Sequence, residues 1–230
     1  PMVEGHRLKS LLGYMAYRGR TIATLHRFLQ EHKIDAVNVH YPSGQYVYFA
    51  ALREQHKYPL MLSFHGSDIR LQFDTGGINQ RAFARLIRTA DAITAVSNDL
   101  LAQVARRVPD AKGEMVTVHG GANAEFFAEY NRPPVAMHPP YILFVARMHP
   151  VKDHATLLRA FRRVKDRNIS DCQLYLAGSG EREKALRALC GELGLERDVR
   201  FLGTVEPQHL ARLNRDSLFT VLSSTSEGMP

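Results

Sequence analysis

The stretch Tyr141–Val164, YILFVARMHPVKDHATLLRAFRRV, decides the fold class. Its apolar opening, Tyr141–Val145, reads as a short strand buried on both faces. A loop with Arg147, Pro150 and Lys152 follows. Asp153–Asp166 then turns Leu157, Leu158, Phe161 and Val164 to one side at helical spacing. Strand, loop, helix is half of a parallel crossover unit. Working outward, the unit recurs: strand Cys172–Ala177, helix Glu181–Leu193, strand Val199–Leu202, helix Pro207–Arg215 and strand Leu218–Leu222. Upstream lie strand Ala36–His40, helix Gln45–His56, strand Leu60–His65, helix Asn79–Thr89, strand Ala92–Ser97, helix Asp99–Arg107 with Asn98 or Asp99 as its cap, and strand Met115–His119. This alternation predicts an α/β protein of right-handed crossovers and parallel sheets covered on both faces.

Residues 128–140, AEYNRPPVAMHPP, hold four prolines. That density resists helix and central strand, so the stretch reads as a linker. The expected organisation is a first domain over 1–130, a hinge over 131–140 and a second domain over 141–230. Ahead of the first strand, residues 6–32 read as one or two helices broken at Gly19. Arg7, Lys9, Arg18, Arg20 and Arg27 surround their apolar stripe.

Apolar residues make up 45% of the chain and charged residues 23%, which excludes disordered and collagen-like classes. No apolar run reaches the length of a membrane span. Cys172 and Cys190 make no disulfide framework, which favours a reduced, cytoplasmic setting. The net charge of +7 is spread along the chain. Without a dense basic block, nucleic acid is not an expected partner; a phosphorylated substrate or an anionic surface is.

Ligands of open parallel sheets bind at the carboxyl ends of the strands. Four strand exits carry polar residues suited to that. His65–Asp68, HGSD, sets a Gly-Ser turn between an imidazole and a carboxylate; a loop histidine with a capping aspartate is the plainer reading. Arg147–Asp153, RMHPVKD, puts two cations at a helix start, where they oppose the helix dipole unless an anion is bound. An Arg fork, a Lys charge and a helix N-terminus together suit a diphosphate. Ala177–Glu183, AGSGERE, has Gly178 and Gly180, which either admit a nucleoside or simply make a tight turn. Ser223–Pro230, SSTSEGMP, offers the Glu227 carboxylate and the Gly228, Met229 and Pro230 backbone. Metal-ligand patterns, the G-x-S-x-G nucleophile elbow and the Walker loop are missing, so no metal is expected.

Together these stretches resemble the retaining glycosyltransferases of the GT-B fold, in glycosyltransferase family 4 (group 1 glycosyl transferases). Tyr141–Val164, LYLAGSGERE (Leu174–Glu183) and Val199–Pro230 are similar to the donor-side domain. LMLSFHGSD, AITAVSNDL and VTVHGGANAEFF are similar to the acceptor-side domain. The resemblance implies two Rossmann-like domains, both incomplete in a fragment lacking both ends. It implies a metal-independent enzyme with no cofactor, using a nucleoside-diphosphate sugar as donor substrate and a polysaccharide, lipid or small-molecule acceptor. Transfer would proceed with retention, by front-face displacement without an enzyme nucleophile. Arg147 and Lys152 would hold the diphosphate, Glu227 the donor sugar, and Gly228, Met229 and Pro230 its hydroxyls and phosphate. His65 would reach the donor sugar from the other domain, with Gly66 and Asp68 shaping its loop, while Gly178 and Gly180 make room near the nucleoside. Gly120 and Asn123 depart from the family's usual Asn and Asp and receive no role. The basic start is a candidate for peripheral contact with the anionic inner membrane surface, a core-facing helix with a solvated basic face being the plainer reading. A nucleotide-sugar epimerase of the same fold and a non-catalytic nucleotide-binding protein remain alternatives.

Overall fold

The structure, a computed structural model, describes residues 8–73, 77–121 and 124–227. It divides into two compact units that part between Gly120 and Gly121.

The first unit opens with α1 (Leu8–Glu31), which runs without a break through Gly19, contrary to the expected interruption. No side chain or backbone presses on Gly19, so the glycine costs helix propensity and nothing more. Ile22 and Leu29 of α1 pack on Tyr48, Ala51 and Leu52 of α2 (Val47–His56). The strands β1 (Val37–His40), β2 (Leu60–Phe64), β3 (Ala92–Ala95) and β4 (Glu114–Thr117) pair parallel in that order. Between them lie α2, α3 (Ser67–Phe73), α4 (Gly77–Thr89) and α5 (Asn98–Arg107). The α5 cap is Ser97, whose hydroxyl accepts from the Leu100 N–H at 3.3 Å, rather than Asn98 or Asp99.

A sequential strand order has a consequence for the sheet's two faces. Right-handed crossovers that all step in one direction put their helices on one side. Val39, Leu60, Leu62, Phe64 and Ile93 therefore form a core with Ala50, Ile69, Phe83, Leu86 and Val104. Among the described residues the opposite face has no such cover. Met61 there is 37% exposed, and Asn38, His40, Ser63 and Thr94 line it. The expectation of two covered faces is corrected for this sheet.

The second unit begins with α6 (Ala124–Tyr130), a helix not foreseen in the sequence. It packs on α9 (Pro207–Asp216) within the second unit. Arg215 fixes the contact, reaching Glu129 at 2.6 Å and its neighbour Asp216 at 2.7 Å. Asp216 also accepts the Val135 N–H at 2.9 Å, which ties down the proline-rich stretch. The boundary between compact units thus lies ahead of residues 131–140, because α6 and that stretch are bonded to α9. The sheet pairs β5 (Tyr141–Val145), β6 (Gln173–Ala177) and β7 (Val199–Gly203) in that order, with α7 (His154–Asp166) and α8 (Glu183–Glu192) packed between. The segment after α9 adds on the other edge of β5, through a parallel bridge between Leu143 and Thr220. It is a bridge and not the full strand expected over Leu218–Leu222.

Candidate active site

That last pairing locates the site. Chain order runs outward from β5 through β6 and β7, then returns to the far edge of β5 at Thr220. Where strand order reverses, the loops leaving neighbouring strands diverge and open a crevice at the carboxyl ends. Arg147 leaves β5 at that point. Its side chain is 75% exposed, and among the described residues its guanidinium meets only Glu181, at 3.9 Å. An exposed pair at that distance is worth little, so the charge stays available to an anion.

Lys152 does not begin α7 as expected. It closes a 3-10 turn over Pro150–Lys152, and Asp153, with φ 45°, caps α7 by accepting the Thr156 N–H at 3.3 Å. Lys152 Nζ donates to both carboxylate oxygens of Glu227, at 2.6 and 2.8 Å. Both side chains are three-quarters buried. The segment before Glu227 is sewn to the turn: the Ser223 hydroxyl donates to the Lys152 carbonyl at 3.0 Å, and the Thr225 N–H donates to that of Val151 at 2.9 Å. Burial pushes the Glu227 carboxyl up, but the Lys152 ammonium, helped by the Ser224 hydroxyl beside it, outweighs that and holds it below its ordinary value.

Beside Arg147 a pocket of about 510 Å³ opens over the ends of β5, β6 and β7, floored by Ala146, Ala177 and Gly178 and walled by Ser179, Thr204 and Val205. Its size is that of an ordinary small-ligand site. Gly178 and Gly180 have a structural reason to be glycine. Gly178 sits at φ 131°, and a Cβ there would strike the Ala146 carbonyl; a Cβ on Gly180 would lie 2.6 Å from the Met148 carbonyl oxygen. The loops leaving β5 and β6 run side by side, joined by the Met148 N–H to the Ser179 carbonyl at 2.9 Å. Only a bare Cα fits between them.

In the first unit, the turn after β2 is built around Asp68, 6% exposed. Its carboxylate accepts the backbone N–H groups of His65, Gly66 and Ile69 at 2.8, 2.8 and 3.0 Å. Gly66, at φ 129°, lets the chain bend tightly enough for this. His65 Nε2 lies 2.9 Å from His40 Nδ1, and the Tyr41 ring stacks on His65 at 4.3 Å between centroids. Gly228, Met229 and Pro230 lie outside the described residues. Glu181, Ser223, Thr225 and His40 are not singled out by the sequence. Only the SSTS run hinted at Ser223 and Thr225; the others depend on contacts between loops far apart in the chain.

The model of "Glycosyltransferase Family 4" matches residues 4–126, more than half of the chain. The chain belongs to glycosyltransferase family 4. The model of "Glycosyl transferases group 1" matches residues 127–230. Among family relatives, EpsF, a Bacillus subtilis protein named as a glycosyltransferase, is 42% identical over 93 residues, covering 37% of this chain and 22% of EpsF. A Campylobacter jejuni enzyme, N-acetylgalactosamine-N,N'-diacetylbacillosaminyl-diphospho-undecaprenol 4-alpha-N-acetylgalactosaminyltransferase, is 28% identical over 126 residues, covering 55% of this chain and 33% of that enzyme. Sucrose-phosphate synthase from Thermosynechococcus elongatus superposes with a TM-score of 0.69 at 18% identity, over 94% of this chain and 57% of that one. The galactosyltransferase WaaB superposes at 0.65 and 18% identity, over the same shares. The matched stretches thus span a fifth to a third of these relatives and just over half of these structures. The two parallel sheets are those of the GT-B fold, and in this family-4 chain the reversal at β5 falls in the second.

Proposed function

We propose that the protein is a nucleoside-diphosphate-sugar-dependent glycosyltransferase acting with retention of configuration. The observation that carries this is the placement of an exposed Arg147 and a Lys152–Glu227 pair at the carboxyl end of β5, where the strand order reverses. In this reading the pair is the resting form of the site. An arriving diphosphate competes for the Lys152 ammonium, and Glu227 is released to accept hydrogen bonds from donor-sugar hydroxyls. As the glycosidic bond breaks, charge grows on the leaving phosphate. Cations fixed beforehand stabilise that charge without reorganising. The pocket beside Arg147 takes the nucleoside, Gly228–Pro230 contact the sugar and phosphate, and His65 contributes to donor-sugar binding. Neither a metal nor an enzyme nucleophile has a part in this scheme. The acceptor is a glycan or lipid. The diphospho-undecaprenol in the Campylobacter relative's name supports a lipid-linked one.

Calorimetric titration with a panel of nucleoside diphosphates and their sugars, followed by turnover assays with acceptor, tests the assignment. Arg147→Ala is expected to weaken diphosphate binding about tenfold and to lower turnover by about 10²–10³. Unchanged binding and turnover would remove the diphosphate role. Release of an epimerised sugar without acceptor would make the protein an epimerase, and binding without turnover a non-catalytic one.

A further inference from the structure

A line of hydrogen bonds crosses the uncovered face of the first sheet and ends on His65. Thr94 Oγ1 donates to Ser63 Oγ at 3.0 Å, and Ser63 Oγ donates to Asn38 Oδ1 at 2.9 Å. A carboxamide oxygen can only accept, so the Ser63 proton is committed to it and the Asn38 amide is oriented. Its Nδ2 faces His40 Nε2 at 3.2 Å. An amide NH₂ can only donate, so His40 Nε2 carries no proton. A neutral imidazole has one proton, which His40 must then hold on Nδ1, pointing at His65 Nε2 2.9 Å away. His65 accepts there, and its own proton is on Nδ1. Among the described residues His65 Nδ1 has no hydrogen-bond partner. One further contact holds the ring: Tyr41 stacks on it with 22° between planes, and Tyr41 is itself anchored where its N–H donates to the Ser63 carbonyl at 3.1 Å.

We propose that His40 is a positioning residue that fixes His65 as its Nδ1–H tautomer, so that His65 meets a ligand as a neutral hydrogen-bond donor and not as a base. Its partner is then an oxygen acceptor, such as a donor-sugar hydroxyl oxygen. That last step rests on the function proposed above, whereas the tautomer follows from the relay alone. The ring of a neutral histidine side chain in water favours the proton on Nε2, so the relay imposes the less common form.

Long-range ¹H–¹⁵N spectra of the ¹⁵N-labelled 230-residue chain above about pH 8, where histidines are neutral, read the tautomers directly. His40→Phe and His65→Phe assign the signals. The expected result is a protonated Nδ1 and a bare Nε2 on both rings. A His65 proton on Nε2, or averaging between the two forms, overturns the proposal without any variant. Asn38→Asp replaces the donor by an acceptor of the same shape and is expected to place a proton on His40 Nε2; a bare Nε2 there would overturn the relay as the cause. For function, His40→Phe is expected to weaken binding of the nucleoside-diphosphate sugar about tenfold and leave the sugar-free nucleoside diphosphate unchanged. Equal loss of both would reduce His40 to a structural role. Failure of the unsubstituted chain to bind either ligand would sink the functional reading, while the spectra would still decide the tautomer.

Discussion

Gly178 and Gly180 show how one residue type serves two purposes at a ligand site. Each admits the neighbouring loop, and in doing so each shapes the pocket beside Arg147. Alanine at either position would meet a backbone carbonyl that cannot move away as a flexible side chain can, and at Gly178 it would also be forced to a positive φ. Each substitution is expected to destabilise the second unit by about 1–3 kcal/mol, read from denaturant midpoints. Glycines needed only to leave space for a nucleoside would tolerate alanine with unchanged midpoints and lose ligand affinity alone. The sequence held the two glycines and their spacing. It could not separate turn from ligand contact, because the atoms that decide between them belong to Ala146 and Met148, in another loop.

At the scale of an element, the first turn of α7 concentrates both stability and chemistry. Just ahead of it Lys152 pairs with Glu227 and Asp153 caps the helix, while His154 turns in, 3% exposed, with its ring 4.6 Å from that of Phe144. Burial drives the His154 pKa below its ordinary 6.5; Asp153 opposes the shift and Lys152 adds to it. The folded state therefore binds this proton less readily than the unfolded chain. The stability that neutral His154 confers is whole above 6.5 and falls as pH drops below that value. Urea midpoints compared for the natural chain and His154→Leu are expected to diverge in slope between about pH 6.5 and 5, the variant being the flatter. Parallel slopes would show that His154 does not titrate with unfolding. The sequence placed α7 within one residue, because its apolar spacing is strong. It missed α6, because AEFFAEY precedes the prolines and gains its helix from packing on α9. It missed the uncovered face of the first sheet as well, since alternation reveals crossovers but not the order in which strands pair.

At the scale of the molecule, among the described residues the two cores share no hydrophobic cluster, one being centred on Leu62 and Ile93 and the other on Phe144 and Leu176. Calorimetry is expected to resolve two unfolding transitions. Gly178→Ala should lower one and leave amide protection in β2 and β3 untouched, whereas a single transition shifting as a unit would show the halves to be coupled. What the sequence alone determined is the kind of protein: short buried strands alternating with amphipathic helices allow little but parallel α/β layers, and the motif order from HGSD to SSTSEG carries the family. What only the tertiary structure decided is the partnership of its charges. Lys152 and Glu227 lie 75 residues apart, and Asn38, Ser63 and Thr94 lie on three different strands. Such contacts depend on strand order and on where each loop leaves its sheet, and local spacing carries no record of either.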